Sequence, residues 1–210
     1  MLTFIHGVMG CGKSAQIIEY YEKHKNVVCL KPKFGEEFNS VIHSRNGKSV
    51  PCINFTDEDD LIDMFFKTRG FNNTKHIIVD EVQFCTRKQI KQLDNLSKIV
   101  TVICYGLLRN VDNSLFPVIT DLLYYADYTK ELTRKCVCCK DKSAFISGMY
   151  NLNEKHIYVN NRNARFHMYG TAIPLPVSKD TKYLSLCKDC YEMKTSFTPK
   201  EINDMLKGEM

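Results

Sequence analysis

Nowhere in the chain does an apolar run approach the ~20 residues that span a bilayer, which argues against a membrane-crossing helix. The N-terminus also lacks a basic stretch leading into an apolar segment and a cleavage site, so no secretory leader is expected and the protein reads as cytoplasmic. Lysine and arginine do not gather into a run of the kind that forms a nucleic-acid tail, and a net charge of +5 names no partner by itself. With 44% apolar and 25% charged residues, neither disorder nor a fibrous repeat is indicated. A length of 210 residues accommodates one main domain and a small appendage.

Cysteine, in contrast, is plentiful. Ten occur, and in a reducing compartment paired cysteines more often hold metal than form disulfides. Cys136-Val137-Cys138-Cys139 and Cys187-Lys188-Asp189-Cys190 each contain C-x-x-C, the spacing with which one turn delivers two thiolates to a tetrahedral zinc. Cys136, Cys139, Cys187 and Cys190 are the expected ligands of a structural Zn²⁺, with Cys138 open as a replacement in the first pair. Cys11, Cys29, Cys52, Cys85 and Cys104 stand singly and read as small packed residues.

The pattern of elements is alternating. Leu2 to His6 reads as a buried strand, Lys13 to Lys23 as a helix, and Asn26 to Leu30 as a strand ended by Lys31-Pro32. A mobile loop is expected from Phe34 to Ser49, then a weaker strand over Val50 to Phe55. A capping box at Thr56 to Asp59 is expected to start a helix that stops near Gly70. His76 to Asp80 reads as a strand, Arg87 to Leu96 as a helix and Ile99 to Cys104 as another strand. Such alternation predicts an α/β fold, a P-loop (RecA-like) parallel sheet with helices on both faces. Near Lys130 the character changes to cysteine pairs, asparagines and tyrosines. Residues 1–130 are read as a nucleotide-binding kinase domain and 131–210 as a small zinc-binding domain.

Two motifs carry chemistry. Gly7-Val8-Met9-Gly10-Cys11-Gly12-Lys13-Ser14 fits G-x-x-x-x-G-K-[ST] between a strand and a helix. Its glycines let backbone N–H groups and the helix N-terminus face phosphate. Lys13 is expected on the β- and γ-phosphates and Ser14 on Mg²⁺. That motif serves ATPases, GTPases and kinases alike. Asp80 and Glu81 follow a buried strand, where ligands of open α/β sheets gather. Asp80 suits Mg²⁺, directly or through water, and Glu81 could take a proton from an attacking hydroxyl or orient a water.

Taken together, the phosphate loop, Asp-Glu-x-Gln-Phe at Asp80 to Phe84, Tyr105-Gly106-Leu107 and the cysteine pairs with Lys182-Tyr183-x-Ser185-x-Cys187 resemble thymidine kinases of the zinc-containing P-loop type. The resemblance spans nearly the whole chain. It implies ATP-dependent phosphorylation of the thymidine 5′-hydroxyl to dTMP, with Glu81 as general base and Asp80 and Gln83 on the nucleotide side. It further implies a zinc-tethered lasso over the nucleoside, roughly Ile173 to Tyr183, and a homotetramer. Met9, Phe84, Leu107, Phe116, Val177, Ser178 and Tyr183 fall on the family's substrate-binding positions. Two features depart from the family pattern. Ser178-Lys179 replace its paired glycines, with Pro174 and Pro176 nearby, and Val111 stands where the family has an aromatic. Both bear on which nucleoside is accepted. Arg45 lies in a loop where the family's arginine often holds phosphate, and it reads equally as a solvated surface residue. The alternative function is a P-loop ATPase with a nucleic-acid-binding zinc module. The zinc region lacks a dense basic stripe with interleaved aromatics, so neither nucleic acid nor membrane is expected as a partner.

Overall fold

The computed structural model describes residues 1–33, 40–67, 73–111, 113–151, 181–193 and 198–207. Strands β1 (Leu2–His6), β2 (Val27–Pro32), β5 (Ile53–Phe55), β6 (His76–Val79), β7 (Thr101–Gly106) and β8 (Tyr128–Glu131) form one six-stranded sheet. Its order is β5-β2-β6-β7-β1-β8 and every pairing is parallel. One strand, β7, separates the loop-bearing β1 from the acidic β6, the RecA-like arrangement.

Period-two alternation decides which core each strand residue joins. Leu2, Phe4, Leu30, Ile77, Val79, Val102 and Cys104 point to one face, where Leu61, Ile90, Leu93, Val118, Ile119 and Leu122 cover them. The covering helices are α2 (Leu61–Lys67), α3 (Arg87–Ser97) and α4 (Pro117–Tyr125). Ile5, Cys29, Ile78, Ile103 and Tyr105 point the other way, against Ile17 and Ile18 of α1 (Lys13–Lys23) and a small hairpin. Helices therefore lie on both faces, as β-strands buried on two sides require.

That hairpin corrects the sequence reading. Val41–His43 (β3) pairs antiparallel with Ser49–Pro51 (β4), so the second half of the expected mobile loop is ordered. The single strand expected over Val50 to Phe55 is two strands, β4 and β5, in different sheets. Thr56 does not cap α2. Its N–H and hydroxyl donate to Asp59 Oδ2 at 2.6 and 2.8 Å, closing a turn before the helix, and Asp60 Oδ1 accepts the N–H groups of Ile62 and Asp63. A complete capping box stands instead at Thr86 and Gln89, ahead of α3. Helix α4 and strand β8 were not foreseen, and Gly70 lies outside the described residues.

Beyond β8 an antiparallel pair, β9 (Ile146–Asn151) and β10 (Thr181–Leu186), is followed by α5 (Lys188–Met193) and α6 (Pro199–Lys207). Ile146, Leu184 and Leu186 pack with Cys136, Val137, Tyr191 and Ile202 in a separate small core.

Helix α3 also holds the start of α2. The buried Gln89 donates from Nε2 to the carbonyls of Thr56 and Asp59 at 2.7 and 3.2 Å, while its Oε1 accepts the Thr86 N–H at 2.9 Å. Gln92 accepts the Leu61 N–H and donates to Asp60. Gln89→Leu removes three hydrogen bonds made by a buried amide and is expected to lower stability by about 1–3 kcal/mol. Urea unfolding checks this against Lys91→Ala, an exposed change on the same helix expected to stay within about 0.5 kcal/mol.

Candidate active site

All six parallel strands end along one edge, where the glycine loop after β1 and the Asp80-Glu81 pair after β6 emerge. Gly7 leaves β1, and the loop turns through Gly10 and Gly12, whose φ values of 73° and 95° lie in the left-handed region that glycine tolerates. Gly12 stands at the N-cap of α1, with no side-chain cap there. A Cβ at Gly7 would collide with the Leu132 carbonyl, and one at Gly10 with the guanidinium of Arg134. Lys13, only 8% exposed, folds back to donate to the carbonyls of Gly7 and Val8 at 2.7 and 3.0 Å. Ser14 follows in the first turn of α1, half-buried. Arg45 and Arg134 both lie against Gly10, the latter donating to its carbonyl at 3.2 Å.

Two strands away, Asp80 leaves β6 with 4% of its surface exposed. Burial, and secondarily the neighbouring Glu81 carboxylate, push its pKa up to about 7, against opposing pulls from Lys31 and Lys13. Its Oδ1 accepts the Glu81 N–H at 3.0 Å. Glu81 itself sits at φ 53°, a left-handed conformation uncommon for a non-glycine residue and typical of strained functional positions.

Gln83 ties this corner together. It is 1% exposed, donates from Nε2 to Glu81 Oε2 at 2.6 Å and accepts the Leu107 N–H on Oε1 at 3.0 Å. A Cβ on Gly106 would come within 2.6 Å of that same Oε1, which explains glycine in Tyr105-Gly106-Leu107. Gln83 thus steers Glu81 through one hydrogen bond while resting on the end of β7 through the other. Phe84 meets Phe116 edge-on with ring centroids 6.0 Å apart, and Leu107 packs on the same core. Tyr183 pairs with Met149 across the β9–β10 ladder, and burial raises its phenol pKa. Val111 gives its carbonyl to the Tyr191 hydroxyl at 2.7 Å. Val177 and Ser178, with Pro174, Pro176 and Lys179, lie outside the described residues.

The Sγ atoms of Cys136, Cys139, Cys187 and Cys190 lie within 4.8 Å of one another, with Cys139 and Cys187 at 3.9 Å. Zn–S bonds of about 2.3 Å in a tetrahedron need sulfurs just under 4 Å apart, so the set fits zinc. Cys136, not Cys138, belongs to this group. The N–H groups of Lys142 and Asp141 hold the Cys139 thiol down to about 6, favouring the thiolate that metal binding requires.

A phosphate-cradling loop, an acidic strand end beside it and a RecA-like sheet together define a P-loop nucleotide-binding protein. Comparison with known proteins narrows this. The family model described as thymidine kinase matches residues 1–191. The thymidine kinase of Rhodopirellula baltica is 31% identical over 144 residues, which cover 65% of this chain and 68% of that one. That of Mannheimia succiniciproducens is 26% identical over 201 residues, 92% of this chain and 96% of the relative. That of Encephalitozoon cuniculi is 26% identical over 211 residues, 97% and 92% respectively. The chain belongs to the thymidine kinase family, and its activity is that of a nucleoside kinase using ATP and thymidine.

The sequence reading reached Lys13, Ser14, Asp80, Glu81 and the four cysteines. It placed Gln83 with the nucleotide; the structure gives this side chain contacts to Glu81 and Leu107. It did not single out Arg134, which no local motif marks.

Asp80 yields a pH signature. Its folded pKa of about 7 exceeds the ordinary 3.8, so between these values the folded state binds the extra proton and stability falls as pH rises. Without nucleotide, Asp80→Asn is therefore expected to melt above the wild type at about pH 8, with the gap closing toward about pH 5. Thermal unfolding followed across that range checks the sign.

Proposed function

We propose that the chain transfers the γ-phosphoryl group of ATP to the 5′-hydroxyl of thymidine, with Glu81 as the general base. The observation that carries this reading is the Gln83 amide on Glu81 Oε2 at 2.6 Å. It fixes one carboxylate oxygen and leaves the other for the incoming hydroxyl. Lys13 exchanges the carbonyls of Gly7 and Val8 for phosphate oxygens, while the loop amides and the start of α1 stabilise charge on the transferred group. Ser14 and Asp80 hold Mg²⁺, which when bound offsets the phosphate charge. The buried Asp80 carboxylate, deprived of water, supports a cation there.

Phe84, Leu107, Phe116 and Tyr183 form the apolar side of a slot for a flat base, and Val177 and Ser178 belong to the substrate-binding residues of the same reading. Cys136, Cys139, Cys187 and Cys190 hold a structural zinc, since four thiolates leave no open position for chemistry. Residues 1–130 act as the nucleotide-binding unit and 131–210 as the zinc-bearing unit, and a homotetramer belongs to the same reading.

Transfer of labelled γ-phosphate to thymidine, deoxyuridine, deoxycytidine and deoxyguanosine tests the reaction. Wild type is expected to form dTMP, and Glu81→Gln to lower kcat by about 10²–10⁴-fold with little change in the KM for ATP. ATP hydrolysis without any phosphorylated nucleoside, stimulated by DNA or RNA, would instead favour the nucleic-acid-dependent ATPase. Atomic absorption is expected to find one zinc per chain, lost in Cys187→Ser.

A further inference from the structure

Cross-strand partners Ser147 on β9 and Ser185 on β10 meet a single residue of the phosphate loop. Ser147 Oγ accepts the Met9 N–H at 2.9 Å, and the Ser185 hydroxyl donates to the Met9 carbonyl at 2.6 Å. Both serines are almost fully enclosed, at 5% and 2% exposure. The two faces of the ladder divide accordingly. Ile146, Leu184 and Leu186 enter the small core beside the cysteines, and Ser147 and Ser185 alternate with them on the face that grips the loop.

We infer that Ser147 and Ser185 are positioning residues that hold the apex of the phosphate loop in its nucleotide-binding shape and thereby set the affinity for ATP. The inference rests on ATP as the occupant of that loop. Both backbone polar groups of Met9 are thus held by the hairpin. The carbonyls of Gly7 and Val8, the two residues before Met9, accept from Lys13. Arg134 adds a third tie, to the Gly10 carbonyl. Loop ordering costs backbone entropy, and a loop ordered beforehand does not incur that cost on binding. The grip is itself braced. The Ser185 carbonyl accepts the Val137 N–H at 3.0 Å, and Val137 lies inside the first cysteine pair, so the hydroxyls ride on a strand fastened to the cysteine cluster.

A merely structural pair would affect melting alone, whereas a positioning pair affects ATP binding and spares the chemical step. The test uses the full zinc-loaded chain with Ser147→Ala, Ser185→Ala, the double variant, and Ser143→Ala as an exposed control on the same region. KM for ATP and calorimetric ATP affinity are expected to worsen about three- to tenfold per substitution and more in the double variant. The value of kcat is expected to stay within about twofold, with zinc content unchanged. Hydrogen exchange at the Met9 amide is expected to quicken in Ser147→Ala more than in Ser185→Ala, because only the former removes its acceptor. Should the double variant prove too unstable to purify, Ser147→Cys keeps the volume with a weaker hydrogen-bonding atom and is expected to lose ATP affinity likewise. Unchanged ATP affinity at full zinc content, or a fall in kcat matching the rise in KM, overturns the inference. Wild type that does not bind ATP at all overturns the nucleotide reading and this inference with it.

Discussion

The parallel register of β1, β7 and β6 is the constraint on which the remaining structure depends. Leu2 to His6 pair with Val102 to Gly106, and Ile77 to Val79 pair with Val102 to Cys104, so the three chains leave the sheet at the same edge. From that edge come Gly7, Gly106 and Asp80. A one-residue slip would exchange Phe4 and Val79 with the residues now facing the opposite core and would carry Asp80 away from the loop. Burial on both faces is what makes such a slip costly, because each strand contributes apolar side chains to two cores.

On this frame the site is assembled from opposing tendencies. Burial disfavours charge on Asp80 and raises its pKa, although Lys31 and Lys13 pull the other way. Lys13 is enclosed as well, and its ammonium is accommodated by loop carbonyls. Both residues sit in arrangements that stabilise the protein less than apolar packing would, a pattern common where binding is selected over stability. Glu81, in a left-handed backbone conformation, is held there by Gln83 and by the bond from its own N–H to Asp80.

The C-terminal hairpin is more than an appendage carrying metal ligands. Its hydrophobic face completes a small core around the cysteines, and its serine face reaches back across 138 and 176 residues of sequence to the phosphate loop. Tyr191 extends the same docking to Val111. The membership of the thymidine kinase family shown by residues 1–191 therefore includes both the loop and the part of the chain that grips it.

Local pattern in the sequence was enough to locate the phosphate loop, the acidic strand end, the paired cysteines and the alternation of strands and helices. Each is written in adjacent residues and constrained by local geometry: glycines at positive φ, a two-residue strand period, two thiols on one turn. Some features needed the tertiary structure, because their partners are far apart in the chain. The bond from the Leu107 N–H to Gln83 joins residues 24 positions apart. Asp60, not Thr56, accepts the first amides of α2, and the turn before it is contacted by Gln89 and Gln92 of α3. The choice of Cys136 over Cys138 awaited the placement of Cys187 and Cys190. Ser147 and Ser185, ordinary polar residues on a strand, acquire a role only when folding sets Met9 between them, since a hydrogen bond depends on distance in space and not on neighbourhood in sequence.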